Sequence, residues 1–116
     1  MPCLQVRVNI TLTPEQKVAT VKALSKMVAQ LTGKPEAYVM VIVQDEVSMS
    51  FGGSTDPCAF MDLRSIGCID RKSNKKYSAS LCKYFVDTYN IPSGRIYISF
   101  QNAPGENWGF DGDTFG

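Results

Sequence analysis

The residues that could do chemistry in this chain begin with Met1-Pro2. If Met1 is removed, Pro2 becomes a free N-terminus, a secondary amine that is nucleophilic and can take a proton. A free α-amino group has a pKa near ~8, so a small downward shift makes it a base at neutral pH. On these two residues alone, a tolerated proline at a frayed terminus is the more common explanation. The rest of the chain must show whether a site surrounds this nitrogen.

The remaining side chains limit which acid–base chemistry is available. The 116 residues include no histidine, which excludes every triad or dyad that uses imidazole as its base. The four cysteines form no Cys-x-x-Cys pair and have no histidine to complete a zinc site, so we expect no metal and no cofactor. The Gly-Gly pair at 52–53 lacks the lysine that follows in a phosphate-binding loop. Proton transfer must therefore use a carboxylate, Lys, Tyr, Cys or the chain terminus.

Charge and hydropathy argue against two classes of partner. Twelve basic and eleven acidic residues leave a net charge of +1, which does not suggest a nucleic-acid binder. No apolar run approaches the ~20 residues of a membrane helix, so we expect no membrane insertion. The pattern of a signal peptide is also absent, which predicts a cytoplasmic protein unless it is secreted by a non-classical route. The length fits a single domain over 1–116.

The first half of the chain predicts a strand, a helix and a second strand. Residues 4–10 alternate between apolar and polar, which is typical of a half-buried strand with Pro2 at its start. The segment Thr13-Pro14-Glu15-Gln16 predicts a helix start with a capping box, and Gly33 ends the helix. The continuous apolar run at 38–43 predicts a strand buried on both faces, at the centre of a sheet.

The second half repeats this order. It predicts a strand, a polar turn, an amphipathic helix and a last strand, at 59–66, 70–74, 77–90 and 95–100. The halves, about 2–43 and 58–100, are candidates for an ancient duplication. We therefore expect an α/β (α+β) fold of two β-α-β units, whose four-stranded mixed sheet carries two helices on one face.

One face of such a sheet would lack a covering layer, which is rare for parallel strand pairs. One hypothesis is that other copies of the chain bury it, with the tail aromatics Trp108, Phe110 and Phe115 packing between subunits. The alternative is that these aromatics cap the domain's own core.

Several segments together resemble the macrophage migration inhibitory factor family, part of the tautomerase superfamily, over the full length and with nearly the same spacing. They are Met1-Pro2-Cys3, Gly33-Lys34-Pro35, the stretch 50–59, Ser65-Ile66-Gly67, Arg95-Ile96-Tyr97-Ile98 and Asp113-Thr114-Phe115. The related D-dopachrome tautomerases are a poorer fit.

The resemblance implies a homotrimer in which the sheets form a barrel-like assembly, with the helices outside and the active sites at subunit interfaces. It also implies keto–enol isomerisation of phenylpyruvate and dopachrome-type compounds, which makes a small aromatic keto acid the expected substrate. The general base would be the N-terminal proline after methionine removal. Many relatives also act as secreted cytokines without a signal peptide, which would add a cell-surface receptor as a partner.

The resemblance assigns roles to single residues. Pro2 matches the catalytic proline, and Lys34 matches the lysine that binds the substrate carboxylate. Ser65 and Ile66 match the pocket wall and backbone donor. Tyr38 matches an aromatic residue at the pocket mouth, and Tyr97 matches a tyrosine that comes from the neighbouring subunit. Without this pattern, Lys34 would be interpreted as a solvated loop lysine near a helix C-terminus.

The chain also departs from the family pattern within the expected pocket. The asparagine two positions after the tyrosine is Ser99, and a valine and a tryptophan in the tail become Trp108 and Phe110. The second thiol of the family's Cys-x-x-Cys is Met61, which does not support a dithiol oxidoreductase. Two functions therefore stay open: a tautomerase, and a cytokine or cytokine-mimic binding protein with a vestigial tautomerase pocket.

Overall fold

The computed structural model describes residues 1–116 as two successive β-α-β units and a short tail. The elements are β1 (Cys3–Val8), α1 (Pro14–Thr32), β2 (Met40–Gln44), β3 (Ala59–Ser65), α2 (Arg71–Tyr89) and β4 (Ile96–Asn102), then a hairpin of β5 (Gly109–Phe110) and β6 (Asp113–Thr114). The main sheet has the order β2-β1-β3-β4. Strands β1 and β2 are parallel, β3 and β4 are parallel, and β1 and β3 are antiparallel. The mixed four-stranded sheet expected from the sequence is confirmed.

Both helices pack against the same face of the sheet, because one buried cluster contains residues from both helices and from the two central strands. Burial of these apolar side chains is the main favourable contribution to folding. The cluster includes Leu4, Val6 and Val8 of β1, Met61 and Leu63 of β3, Leu24 and Val28 of α1, and Tyr77, Leu81 and Phe85 of α2.

Helix α1 begins and ends where the sequence predicts. Thr13 Oγ1 accepts a hydrogen bond from the Gln16 backbone N–H at 3.1 Å, and Gln16 Oε1 accepts one from the Thr13 N–H at 2.9 Å. These two bonds form the predicted capping box. Gly33 ends the helix at φ 69°, a left-handed conformation that glycine adopts without steric cost. The chain turns sharply there and continues into Lys34.

The prediction of a central strand at 38–43 is wrong. Strand β2 lies at the edge of the sheet, and Tyr38 belongs to a single 3-10 turn, Glu36–Tyr38, that precedes it. Met40 and Ile42 are 60% and 39% exposed because they point away from the helices. The apolar run arises because the outer face of this strand is apolar as well as the inner one.

The polar segment 70–74 is the N-cap and first turn of α2 and not a separate turn. The helix therefore begins at Arg71, earlier than the predicted 77. Asp70 is the N-cap, and its carboxylate accepts a hydrogen bond from the Ser73 N–H at 2.8 Å. Polar residues suit a helix start because the first N–H groups need acceptors.

The second face of the sheet has no covering layer in the single chain. Its outer positions include the exposed Met40, Ile42 and Tyr97, the last of which is 66% exposed. Asp62 lies on this face between Gln5 and Ser99 on the neighbouring strands. Neither α1 nor α2 combines the length and hydropathy needed to cross a bilayer.

Candidate functional site

An apolar cavity of about 430 Å³ opens at the N-terminus of the chain. Three segments form it: the start of β1, the turn that leads into β2, and the tail. Its lining residues are Met1, Pro2, Cys3, Ala37, Tyr38, Val39, Met40, Trp108, Gly109, Phe110 and Phe115. Apolar walls of this kind lower the local dielectric, which strengthens any charge interaction at the site.

Pro2 lines this cavity. It is buried, and its carbonyl oxygen accepts a hydrogen bond from the Met40 N–H at 3.1 Å. It precedes β1, which has a hydrogen-bonded neighbour on each side. A proline at the very start of a strand removes no interior ladder bond, so the sheet tolerates it there.

The electrostatic environment of the terminus disfavours a protonated amine. The structure contains Met1, so the free amine is that of Met1 and the Pro2 nitrogen is an amide. Burial and, secondarily, the ammonium of Lys34 lower the pKa of this N-terminal amine, while Cys68 opposes the shift. Desolvation and a nearby like charge each disfavour the protonated form of an amine.

Lys34 is half-buried and takes part in none of the three ion pairs of the chain. It follows the helix-terminating Gly33, and its backbone N–H donates to Thr32 Oγ1 at 3.3 Å. Its charge reaches the N-terminal amine, although the side chain does not line the cavity surface. An uncompensated cation beside an apolar cavity favours an anionic ligand such as a carboxylate.

Ser65 is the last residue of β3, and Ile66 follows it. The antiparallel register pairs Cys3 with Arg64, so the next pair places Ser65 opposite Pro2. The Ser65 side chain is fully buried, and its hydroxyl has no hydrogen-bond partner in the chain. Ile66 is half-buried, and neither residue contributes to the cavity surface.

Three aromatic residues expected in the pocket line this cavity: Tyr38, Trp108 and Phe110. The rings of Tyr38 and Phe110 lie 5.7 Å apart in an edge-on arrangement, and Trp108 is half-buried in the same wall. Phe115, which the site prediction did not include, stacks on Phe110 at 5.2 Å and meets Tyr38 at 6.3 Å. Its aromatic type was visible in the sequence, but its partner was not, because the tail lacks periodicity.

Tyr97 and Ser99 are not brought to Pro2 within the single chain. Tyr97 lies on the uncovered face and lines a different cavity of about 410 Å³. Its ring packs on Phe51 at 4.7 Å. Ser99 lies opposite Asp62 on β3. The chain therefore separates the expected site residues into one group at the N-terminus and another on the uncovered face.

Comparison with known proteins shows the family of the chain. The family described as macrophage migration inhibitory factor matches residues 1–116. The chain belongs to the macrophage migration inhibitory factor family. It is 46% identical over 92 residues to the macrophage migration inhibitory factor of Xenopus tropicalis, covering 79% of this chain and 80% of that protein. The macrophage migration inhibitory factor homolog of Brugia malayi is 39% identical over 118 residues, covering 100% of both chains.

Solved structures of the family share the fold. The macrophage migration inhibitory factor homologue from Prochlorococcus marinus superposes with a TM-score of 0.93 at 33% identity, covering 98% of this chain and 99% of that one. The macrophage migration inhibitory factor of Toxoplasma gondii gives 0.91 at 37% identity, covering 97% and 99%. The chain is thus similar to macrophage migration inhibitory factors in both sequence and fold.

Proposed function

We propose that the chain is a keto–enol tautomerase whose general base is the Pro2 amine after Met1 is removed. The observation that carries this proposal is the buried position of Pro2 at an apolar cavity, next to a Met1 amine whose pKa is lowered by burial and by the Lys34 charge. We expect the same two causes to lower the pKa of the Pro2 amine once Met1 is removed. A general base is most effective when its pKa is near the working pH, and this environment moves an amine in that direction.

The substrate class that suits the site is a small aromatic keto acid such as phenylpyruvate. The Lys34 ammonium would pair with the substrate carboxylate, and the aromatic ring of the substrate would pack against Tyr38, Trp108 and Phe110. The neutral Pro2 nitrogen would take a proton from the methylene next to the ketone. The C–H electrons form the carbon–carbon double bond, the carbonyl electrons move to oxygen, and the oxygen takes the proton that the prolinium releases.

The oxygen that becomes negative in this step needs a hydrogen-bond donor. The resemblance assigns the backbone of Ile66 and the hydroxyl of Tyr97 to this region, and the tyrosine would come from a neighbouring subunit. Because Tyr97 and Ser99 lie on the uncovered face, we propose that a second copy supplies them and that three copies form a barrel-like homotrimer.

We expect the chain to have three times its monomer mass in solution, measured by light scattering after gel filtration. Burial of the exposed apolar groups Met40 and Ile42 would drive the association. The variant Ile42→Asp should dissociate the assembly because it places a charge in the interface. Val18→Asp is the matched control, since Val18 is 52% exposed on α1, on the opposite side of the sheet. A monomeric wild-type chain would contradict the assembly.

The experiment that tests the proposed activity combines two measurements on one preparation. Mass spectrometry determines the fraction of chains that have lost Met1, and an ultraviolet assay follows phenylpyruvate isomerisation. We expect the rate to rise in proportion to the fraction of chains with a free Pro2. A fully processed trimer with a background rate for both phenylpyruvate and dopachrome methyl ester would refute the proposal.

That negative result would favour the second candidate, a cytokine-like binding protein that is secreted and acts through a cell-surface receptor. The observation that supports it is the partly exposed aromatic cluster formed by Tyr38, Phe110 and Phe115, which are 42%, 50% and 36% exposed. Exposed aromatic clusters are common at protein-binding surfaces. The same cluster lines the cavity, so the two functions share a surface and only activity separates them.

A further inference from the structure

The loop between β2 and β3 contains a tight hairpin that presents one aromatic ring. Phe51 and Ser54 exchange both backbone hydrogen bonds, at 2.9 Å and 3.1 Å. The central residues Gly52 and Gly53 have φ values of 61° and 79°. Two consecutive positive φ values are typical of a type I′ turn, which requires residues such as glycine. The turn fixes the direction in which Phe51 leaves the backbone.

Arg95 fastens this loop to the start of β4. Its guanidinium donates hydrogen bonds to four backbone carbonyl oxygens, those of Phe51, Ser54, Asp56 and Pro57, at 2.9–3.1 Å. Its central carbon also lies 5.4 Å from the centre of the Phe51 ring. Arg95 takes part in none of the chain's ion pairs, so its charge is directed at the loop alone.

The Phe51 ring contacts Tyr97 as well as Arg95. The Phe51 and Tyr97 ring centres are 4.7 Å apart, within the range of favourable aromatic pairs. Tyr97 is nevertheless 66% exposed, so Phe51 supports one side of it and leaves the rest accessible. An exposed tyrosine without such support would sample several rotamers.

We infer that Arg95 is a positioning residue for Tyr97 in the tautomerase reaction, acting through the ring of Phe51. The inference rests on the proposed function, in which Tyr97 contacts the substrate bound by a neighbouring copy. The planar guanidinium can reach several separated carbonyls and an aromatic face at once, whereas an ammonium is a single point of charge. Arginine is therefore suited to this role in a way that lysine is not.

The fold does not depend on Arg95 alone, which makes the inference testable. Asn9 also bonds the same loop: its Nδ2 donates to the carbonyls of Thr55 and Asp56 at 3.0 Å, and its Oδ1 accepts from the Cys58 N–H at 2.9 Å. We therefore expect Arg95→Met to fold while the Phe51 hairpin becomes more mobile.

The test compares Arg95→Met, Arg95→Lys and Tyr97→Ala, singly and with Arg95→Met and Tyr97→Ala combined, in the phenylpyruvate assay. We expect Arg95→Met to lower kcat/KM on the order of tenfold, because misplacing a substrate-contacting group is costly. Arg95→Lys should recover part of the loss, and Arg95→Met should add nothing in the Tyr97→Ala background. Arg71→Met is the matched control, since Arg71 is an exposed arginine at the start of α2.

A second measurement does not depend on activity. The chain has five tyrosines, and the Tyr97 signal in fluorine NMR of protein labelled with 3-fluorotyrosine can be assigned by its loss in Tyr97→Ala. We expect Arg95→Met to shift and narrow this signal, and Arg71→Met to leave it unchanged. An unchanged signal in Arg95→Met overturns the inference, as do equal losses of activity with and without Tyr97. If the wild-type chain proves inactive, the proposed function fails, and the fluorine signal alone decides whether Arg95 orders Tyr97.

Discussion

Replacing Pro2 with glycine is expected to lower kcat/KM for phenylpyruvate by about 10²–10⁴-fold, the usual contribution of a positioned general base. Glycine keeps a terminal nitrogen but loses the ring that fixes it against β2 and β3. A chain that retains Met1 should be at least as inactive, because its Pro2 nitrogen is an amide with no basic lone pair. The Met1 amine lies one residue before the Pro2 nitrogen, so it cannot replace that nitrogen in the same geometry.

Two controls separate this chemistry from folding. Thermal unfolding should be similar in the wild type, Pro2→Gly and the Met1-retaining form, since the backbone carbonyl at position 2, which accepts a hydrogen bond from the Met40 N–H, is present in each. Mass spectrometry must confirm which N-terminus each preparation carries. A Met1-retaining preparation with wild-type activity would show that Pro2 is not the base.

Replacing Lys34 with alanine is the change with the second largest expected effect. We expect kcat/KM for phenylpyruvate to fall on the order of tenfold to a hundredfold, the usual range for losing a hydrogen bond to a charged group. Most of the change should appear in KM, because Lys34 is proposed to bind the carboxylate. Dopachrome methyl ester lacks that charge, so its KM should change little in the same variant.

The pH profile provides an independent readout of Lys34. Burial and the Lys34 ammonium both lower the pKa of the Met1 amine, and we expect them to act in the same way on the Pro2 amine, the proposed base, which must be neutral to accept a proton. Removing the ammonium removes one of these causes, so the pKa rises and a higher pH is needed to deprotonate the base. The acid limb of kcat/KM should therefore move to higher pH in Lys34→Ala and stay in place in Lys34→Arg. An unmoved limb in Lys34→Ala would contradict the proposed proximity of Lys34 to the Pro2 amine in the processed chain.

Local signals in the sequence were sufficient for α1 and insufficient for β2. The cap at Thr13 and the terminator at Gly33 act within a few residues, so both ends of the helix could be predicted. Whether the strand after Lys34 lies at the centre or the edge of the sheet depends on which distant strands pair with β1. An apolar run alone does not contain that information.

The residues of the candidate site were likewise predictable in part. The sequence pointed to Pro2, Tyr38, Trp108 and Phe110, and the fold gathers all four around one cavity. It could not predict that Phe115 would join them or that Phe51 would support Tyr97, because those contacts depend on how irregular loops fold back. The roles given to these residues remain predictions, since they come from the family pattern.

The central place of β1 has a kinetic consequence. The residue at the head of this strand is aligned by one neighbour that follows the first helix and by another from the second half of the chain. Contacts between residues distant in sequence form late, because the entropy of closing the intervening loops must first be overcome. The cavity at the N-terminus therefore cannot exist in a partly folded chain that contains only the first β-α-β unit. Although its key residue is among the first to be synthesised, the site is completed only when the tail, which contributes Trp108, Phe110 and Phe115, has packed against it.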